Sequence, residues 1–188
     1  AITTYNEVLD SDSRNARALD SLEQIYFHNM QWAELHEVYE KMIDIAPGDA
    51  GVADCYARMA KIASDALDDA PQATDLWGRV LDLRGEDPVA LWALADLNEA
   101  AEEWNELVDV LQRQVHITEE PQGKIRLYQR LGRIWGDKLG RERNALEAWY
   151  EVLNIDPADL TSLYAIARIY RETQAWEELV GILTQLID

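Results

Sequence analysis

A chain of 188 residues, 48% of them apolar, is long enough to bury a continuous core in one or two domains. Its formal net charge of −19 repels nucleic acid and anionic membrane surfaces, and no apolar run approaches the roughly 20 residues that span a bilayer. The single cysteine, Cys55, excludes an internal disulfide and no cationic-then-apolar leader is present, so the cytoplasm is the default location.

Ala, Leu, Glu, Asp and Arg dominate, and that composition favours helix. Apolar spacing predicts eleven helices and no strand. In chain order they cover about 1–12, 15–29, 31–46, 50–67, 70–84, 87–101, 103–118, 122–138, 141–155, 158–172 and 174–188. In the second, Leu19, Leu22, Ile25 and Tyr26 follow an amphipathic stripe, which breaks at Asn29. The third carries Trp32, Leu35, Val38, Tyr39, Met42 and Ile43 on one face. Pro47-Gly48-Asp49 ends it and starts the fourth, because Pro cannot continue a helix and Gly suits its terminus. Pro88, Pro121 and Pro157 punctuate the later helices in the same way.

The elements repeat. Segments opening at Leu19, Leu91 and Leu163 align without a gap at an offset of 72 residues, superposing Trp32, Trp104 and Trp176 and the Glu-Leu pair that follows each. The intervening material keeps the same offset. Tyr56 meets Tyr128, Ala60 meets Gly132, Trp77 meets Trp149 and Val80 meets Val152, while Ala1, Tyr5 and Val8 join the last set. Each 72-residue unit divides into two helical hairpins of alternating length, 37 and 35 residues. The expected organisation is a half repeat at 1–15 followed by hairpins at 16–52, 53–87, 88–124, 125–159 and 160–188. Both ends fall inside second helices without polar capping repeats, so the chain reads as a fragment of one longer array.

A hairpin cannot bury its apolar stripe alone, so successive hairpins must stack and share an elongated core. Small residues such as Ala60, Ala73, Ala95 and Gly132 would let neighbouring helices approach closely, with the indoles of Trp77 and Trp149 filling the space between hairpins.

These hairpins resemble tetratricopeptide repeats. Residues 125–159 supply the family's pattern through Tyr128, Leu131-Gly132, Trp135, Ala145, Trp149, Val152 and Pro157, with one extra residue in the turn. Residues 16–52 supply Leu19, Leu22, Tyr26, Tyr39 and Pro47, but depart with Glu23 in the usual glycine place and Leu35 in the usual alanine place. The resemblance covers essentially the whole chain. It implies an all-α, right-handed α-solenoid of antiparallel hairpins whose first helices line a concave groove. Carried onto this chain, the groove positions include Gln24, Phe27, His28, Lys61, Val89 and Trp92, then Arg126, Gln129, Arg133, Tyr164, Arg168 and Arg171.

No constellation suggests catalysis. His28, His36 and His116 lack ligand spacing, so no metal site is expected. Cys55 reads as a small buried residue, and Pro47-Gly48-Asp49-Ala50-Gly51 lacks the Gly-Lys-Ser/Thr ending of a phosphate loop. Neither enzyme activity nor a cofactor is expected. The recurring Trp-x-Glu-Leu at Trp32, Trp104 and Trp176 is expected to pack each indole on the preceding helix and fix the turn.

Charge is the feature that points to a site. Between Lys124 and Arg171 lie nine cations against six acids, about +3 in a chain of −19. Arg126, Arg130 and Arg133 are spaced i, i+4, i+7 on one helix face, and Arg168 and Arg171 stand on the next first helix. Guanidinium groups grip carboxylates bidentately, and Trp92 and Tyr164 would flank them as aromatic anchors. The alternative is a solvated face paired to the acidic second helices. The Lys and Asn pattern of the family's carboxylate clamps is not reproduced, so capture of a C-terminal chaperone peptide is not implied. The expected function is a protein-interaction scaffold that takes a partner segment, acidic by charge, in the concave groove. The alternative function is a spacer or self-associating arm. Neither nucleic-acid binding nor membrane insertion is expected.

Overall fold

A computed structural model describes residues 1–187 of the chain. Among them eleven α-helices form and no strand: α1 (Ile2–Ser11), α2 (Ala16–His28), α3 (Trp32–Ile45), α4 (Asp49–Asp65), α5 (Ala70–Arg84), α6 (Pro88–Ala100), α7 (Trp104–Ile117), α8 (Pro121–Arg133), α9 (Glu142–Ile155), α10 (Leu160–Glu172) and α11 (Trp176–Gln185). The helix predicted over 122–138 is α8 continued by a π-helical turn at Ile134–Lys138. No described helix is long and apolar enough to cross a membrane.

The chain divides into two compact units, Ala1–Leu97 and Asn98–Asp188. In the first, α1 packs on α2, α2 on α3, α3 on α4 and α4 on α5. In the second, the same succession runs from α7 through α11. Antiparallel neighbours of this kind bury the stripes read from the sequence: Leu19, Leu22, Leu35, Trp77 and Val80 in one unit, Leu107, Leu111, Leu131, Trp149 and Val152 in the other.

The helix ends obey the 72-residue law as closely as the core. Side chains of Asn15, Asp87 and Asp159 each accept a hydrogen bond from the backbone N–H three residues on, which caps α2, α6 and α10. The tight turns within hairpins recur too. Met30, Glu102 and Gln174 all adopt left-handed backbone, with φ of 56°, 57° and 59°. After each, a backbone N–H reaches back five residues, from Gln31 to the carbonyl of Tyr26, Glu103 to Asn98 and Ala175 to Tyr170. None of the three is a glycine, so each turn carries backbone strain of roughly 1–2 kcal/mol.

Small residues set how close the helices come. A Cβ built on Gly132 of α8 would lie 2.5 Å from the Trp149 indole of α9, so the ring lies directly on bare backbone. Trp149 and its counterpart Trp77 are both almost fully buried.

Candidate functional site

In the first unit, α2, the start of α3 and α4 enclose a groove of about 530 Å³, within the usual range for a binding cleft. Phe27, Trp32, Ile62 and Ala66 make its apolar wall, and Gln24, Lys61 and Asp65 make its rim. Phe27 meets Trp32 edge-to-face, with ring centroids 5.8 Å apart. Both rings stay open to the groove, because the tight turn at Met30 places the start of α3 beside the end of α2 and leaves the next layer to α4.

At the base of the groove Glu23 does two jobs. It accepts a hydrogen bond from the Tyr39 hydroxyl at 2.9 Å and one from Arg58 Nη1 at 2.7 Å. Burial, then the hydrogen bond to Glu23 and its charge, push the Tyr39 phenol well above its ordinary value. Arg58 is thereby tied to the wall, although about half of its side chain stays open to solvent. A second hollow of about 470 Å³ shares Trp32, Tyr39 and Ile62 and continues toward Met59 and Leu67.

In the second unit, the arginines read as a cluster have divided allegiances. Arg130 is held by Glu99 of α6, Arg168 donates to Asp137 of the π-helical turn at 2.7 Å, and Arg126 reaches Glu120 at 3.5 Å. Their acids come from α6, the segment before α8 and the turn after it, not from second helices. Arg133 and Arg171 are exposed and, among the described residues, make no ion pair. Tyr164 of α10 and Trp92 of α6 are exposed, in separate units.

The three Trp-x-Glu-Leu indoles differ. Trp32 packs on the preceding helix through Phe27, as expected. Trp104 carries Lys138 over its ring, with Nζ 4.7 Å from the centroid, and Trp176 is exposed. The expectation of one shared packing role fails because each indole needs a neighbour to cover it, and the neighbours are different residues. Cys55 is buried, and burial raises its thiol pKa, which leaves it a poor nucleophile.

The sequence reading placed Phe27 and Lys61 along the groove but chose the arginines as the site. It missed the cavity, although the signal was present: Phe27 is the chain's only phenylalanine and occupies a groove position.

Comparison with known proteins bears on the fold. A tetratricopeptide repeat family model matches residues 162–188, the last hairpin, and the internal alignment carries that hairpin's pattern back through the chain at the 72-residue offset. Solved structures extend the likeness to the other hairpins. A crystal structure of MamA has a TM-score of 0.53 at 17% identity, covering 89% of this chain and 87% of that one. YrrB, described as a TPR protein with an unusual peptide-binding site, has a TM-score of 0.52 at 16% identity over 100% of this chain and 93% of its own. Residues 162–188 thus match a tetratricopeptide repeat, and the chain as a whole is similar in fold to solved proteins built of such repeats. No curated protein matches it at a significant level. For a repeat array, the informative comparison is internal: equivalent positions 72 residues apart show which side chains a helical scaffold needs and which it is free to vary.

Proposed function

We propose that the protein is an interaction scaffold that binds a partner segment along its hairpins' first helices, seating an apolar side chain in the groove between α2 and α4. The observation that carries this reading is the groove itself, an open apolar cavity of about 530 Å³ with a polar rim. A protein without a partner there would leave Phe27 and Trp32 in water for no stabilising return. YrrB, of similar fold, is a peptide binder by its description, which makes an extended segment the natural occupant.

A second contact is favoured by Arg133 and Arg171. Among the described residues both are exposed groove-position arginines without an ion pair, so an acidic stretch of the partner supplies their carboxylates. Arg126 and Arg168 can exchange their exposed acids for the partner's at little cost, whereas Arg130 is more enclosed and keeps Glu99. Tyr164 flanks this contact, and Trp92 extends the apolar one. The hairpins act as one repeat domain in this reading.

Selection of peptides from a random displayed library tests both contacts. Wild type should enrich sequences with an aromatic or large aliphatic anchor and a separate acidic run. Phe27→Glu should lose the anchor, and Arg133→Glu with Arg171→Glu should lose the acidic run together with the salt dependence. Identical selections by all three proteins would reject both contacts. Enrichment of nothing would favour the spacer or self-associating arm, which a concentration-dependent mass would then identify.

A further inference from the structure

Two hollows of the first unit join into one furrow between α3 and α5. The hollow at Trp32, Ile62 and Leu67 shares His36, Met59, Gln72 and Leu76 with a second, of about 580 Å³, that is lined by Glu40, Asp44 and Asp75. Met59 of α4 is buried and belongs to the floor, while α3 and α5 make the walls, each packed on α4. From Ala33 to Asp44 the α3 wall runs about 17 Å, at about 1.5 Å per helical residue. The two ends differ in chemistry. At one, Leu67 is 47% exposed and Trp32 and Ile62 are half-buried. At the other, Glu40, Asp44 and Asp75 are exposed. Arg79, the cation of that end, donates from Nε to Asp75 at 2.9 Å and lies over the Tyr56 ring, and His36 Nε2 is 3.7 Å from Glu40. Glu37, midway along the furrow, and Asp44 make no ion pair among the described residues.

The second double repeat shows what the chain itself puts at this place. Asn105, the counterpart of Ala33, accepts a hydrogen bond from Arg141 Nη2 at 2.9 Å, so a guanidinium ties α7 to the start of α9. Val108, Ile134 and Leu139, the counterparts of His36, Ile62 and Leu67, are each more buried than they are. The first double repeat has Ala33 and Asp69 where the second has Asn105 and Arg141. No such bridge can form there, and an exposed acid stands in place of the cation. The furrow is therefore open at its apolar end and uncompensated at its acidic one.

We propose that the α3–α5 furrow is a docking surface for a partner segment that carries a large apolar side chain and, along from it, two basic ones. The apolar side chain fills the end beside Trp32, Ile62 and Leu67, and the basic ones meet Glu40, Asp44 and Asp75 through charge-assisted hydrogen bonds. In an extended segment, at about 3.3 Å per residue, the two parts stand about three to five residues apart. The furrow shares Trp32 and Ile62 with the α2–α4 groove but opens between different helices, and it does not depend on the function proposed for that groove.

The probe is a displayed library of dodecapeptides lacking Asp and Glu, which keeps it from the arginines of the second unit. It is selected on the Phe27→Glu protein, whose α2–α4 groove no longer takes an apolar anchor. Selection should enrich an aliphatic or aromatic residue and two basic residues at the spacing above. For the leading peptide, Glu40→Gln with Asp44→Asn should raise Kd about five- to tenfold in fluorescence anisotropy, and Leu67→Ser roughly threefold. Glu102→Gln with Glu103→Gln removes the same charge from the turn between α6 and α7 and should leave Kd unchanged. All five residues are exposed, so the thermal transition should stay in place, which separates loss of the surface from loss of the fold. Equal losses from the two pairs would reduce the binding to attraction by the net charge and overturn the proposal. Selection of no such pattern overturns it, and so does a leading peptide indifferent to the α3 substitutions, because that peptide would dock elsewhere.

Discussion

The two double repeats place the same arginine on the same helix and use it differently. Arg58 and Arg130 are equivalent at the 72-residue offset, but their carboxylate partners are one helical turn apart in the repeat frame. In the first unit the acid is Glu23, only 18% exposed, held also by Tyr39. In the second double repeat, Glu23's place is taken by Ala95 and the acid is Glu99, which is 51% exposed and stands where the first double repeat has Phe27. Lys138 lies over the Trp104 ring where the first unit has Ala66. Moving one acid by four residues turns an apolar groove with an ion pair at its base into a charged surface, with no change of fold. Function diverges in such an array at the groove positions, because the stacking positions are pinned by burial.

The comparison can be broken first at the stacking positions, where both units should behave alike. Trp77→Ala and Trp149→Ala should each cost about 3–5 kcal/mol in urea unfolding. A large effect in one unit alone would show that the two are not stacked by the same rule. Gly132→Ala should then cost about 1–3 kcal/mol, since its new Cβ meets the Trp149 ring, whereas Ala60→Gly in the first unit should cost about 1 kcal/mol through helix propensity. Equal and small costs would mean that the indole shifts freely.

The ion pairs should separate the units. Glu23→Ala strands the partly buried Tyr39 hydroxyl and should cost about 1–3 kcal/mol, while Glu99→Ala at an exposed pair should stay within about 0.5 kcal/mol. Tyr39 adds a pH signature. Its folded-state pKa is raised, so above pH 10 the unfolded phenol releases its proton while the folded one retains it. Stability should fall as pH rises through that window, and Tyr39→Phe should flatten the fall in alkaline denaturation curves. The smallest effect sharpens the contrast most: Phe27→Glu with Ala66→Lys rebuilds the second unit's pattern in the first. Stability should move by less than about 0.5 kcal/mol, while binding of peptides with an apolar anchor should be lost.

Much of this was legible before the structure. Helix number and extent followed from apolar period, and Gly132 as a point of close helix approach followed from its size, although only the structure shows that the Trp149 ring is what lies on it. The caps at Asn15, Asp87 and Asp159 were equally present in the sequence, in register, because capping is a local interaction between near neighbours. The turns at Met30, Glu102 and Gln174 gave no such sign. Their left-handed backbone is imposed by the packing of the two helices they join, and no glycine marks it.

The arginines show where sequence runs out. Spacing on α8 correctly put Arg126, Arg130 and Arg133 along one helix, but whether each reaches out or is tied down depends on acids supplied by other segments, 31 residues away for both Arg130 and Arg168. The sequence by itself determined the double repeat, the helices, their buried stripes and the chain's charge, because periodicity and burial act through near neighbours and are indifferent to detail. Only the tertiary structure decided that Glu23 anchors Arg58 and that the α2–α4 groove stays open. Those outcomes depend on which side chain arrives opposite which across two helices, and that is fixed by packing rather than by position along the chain.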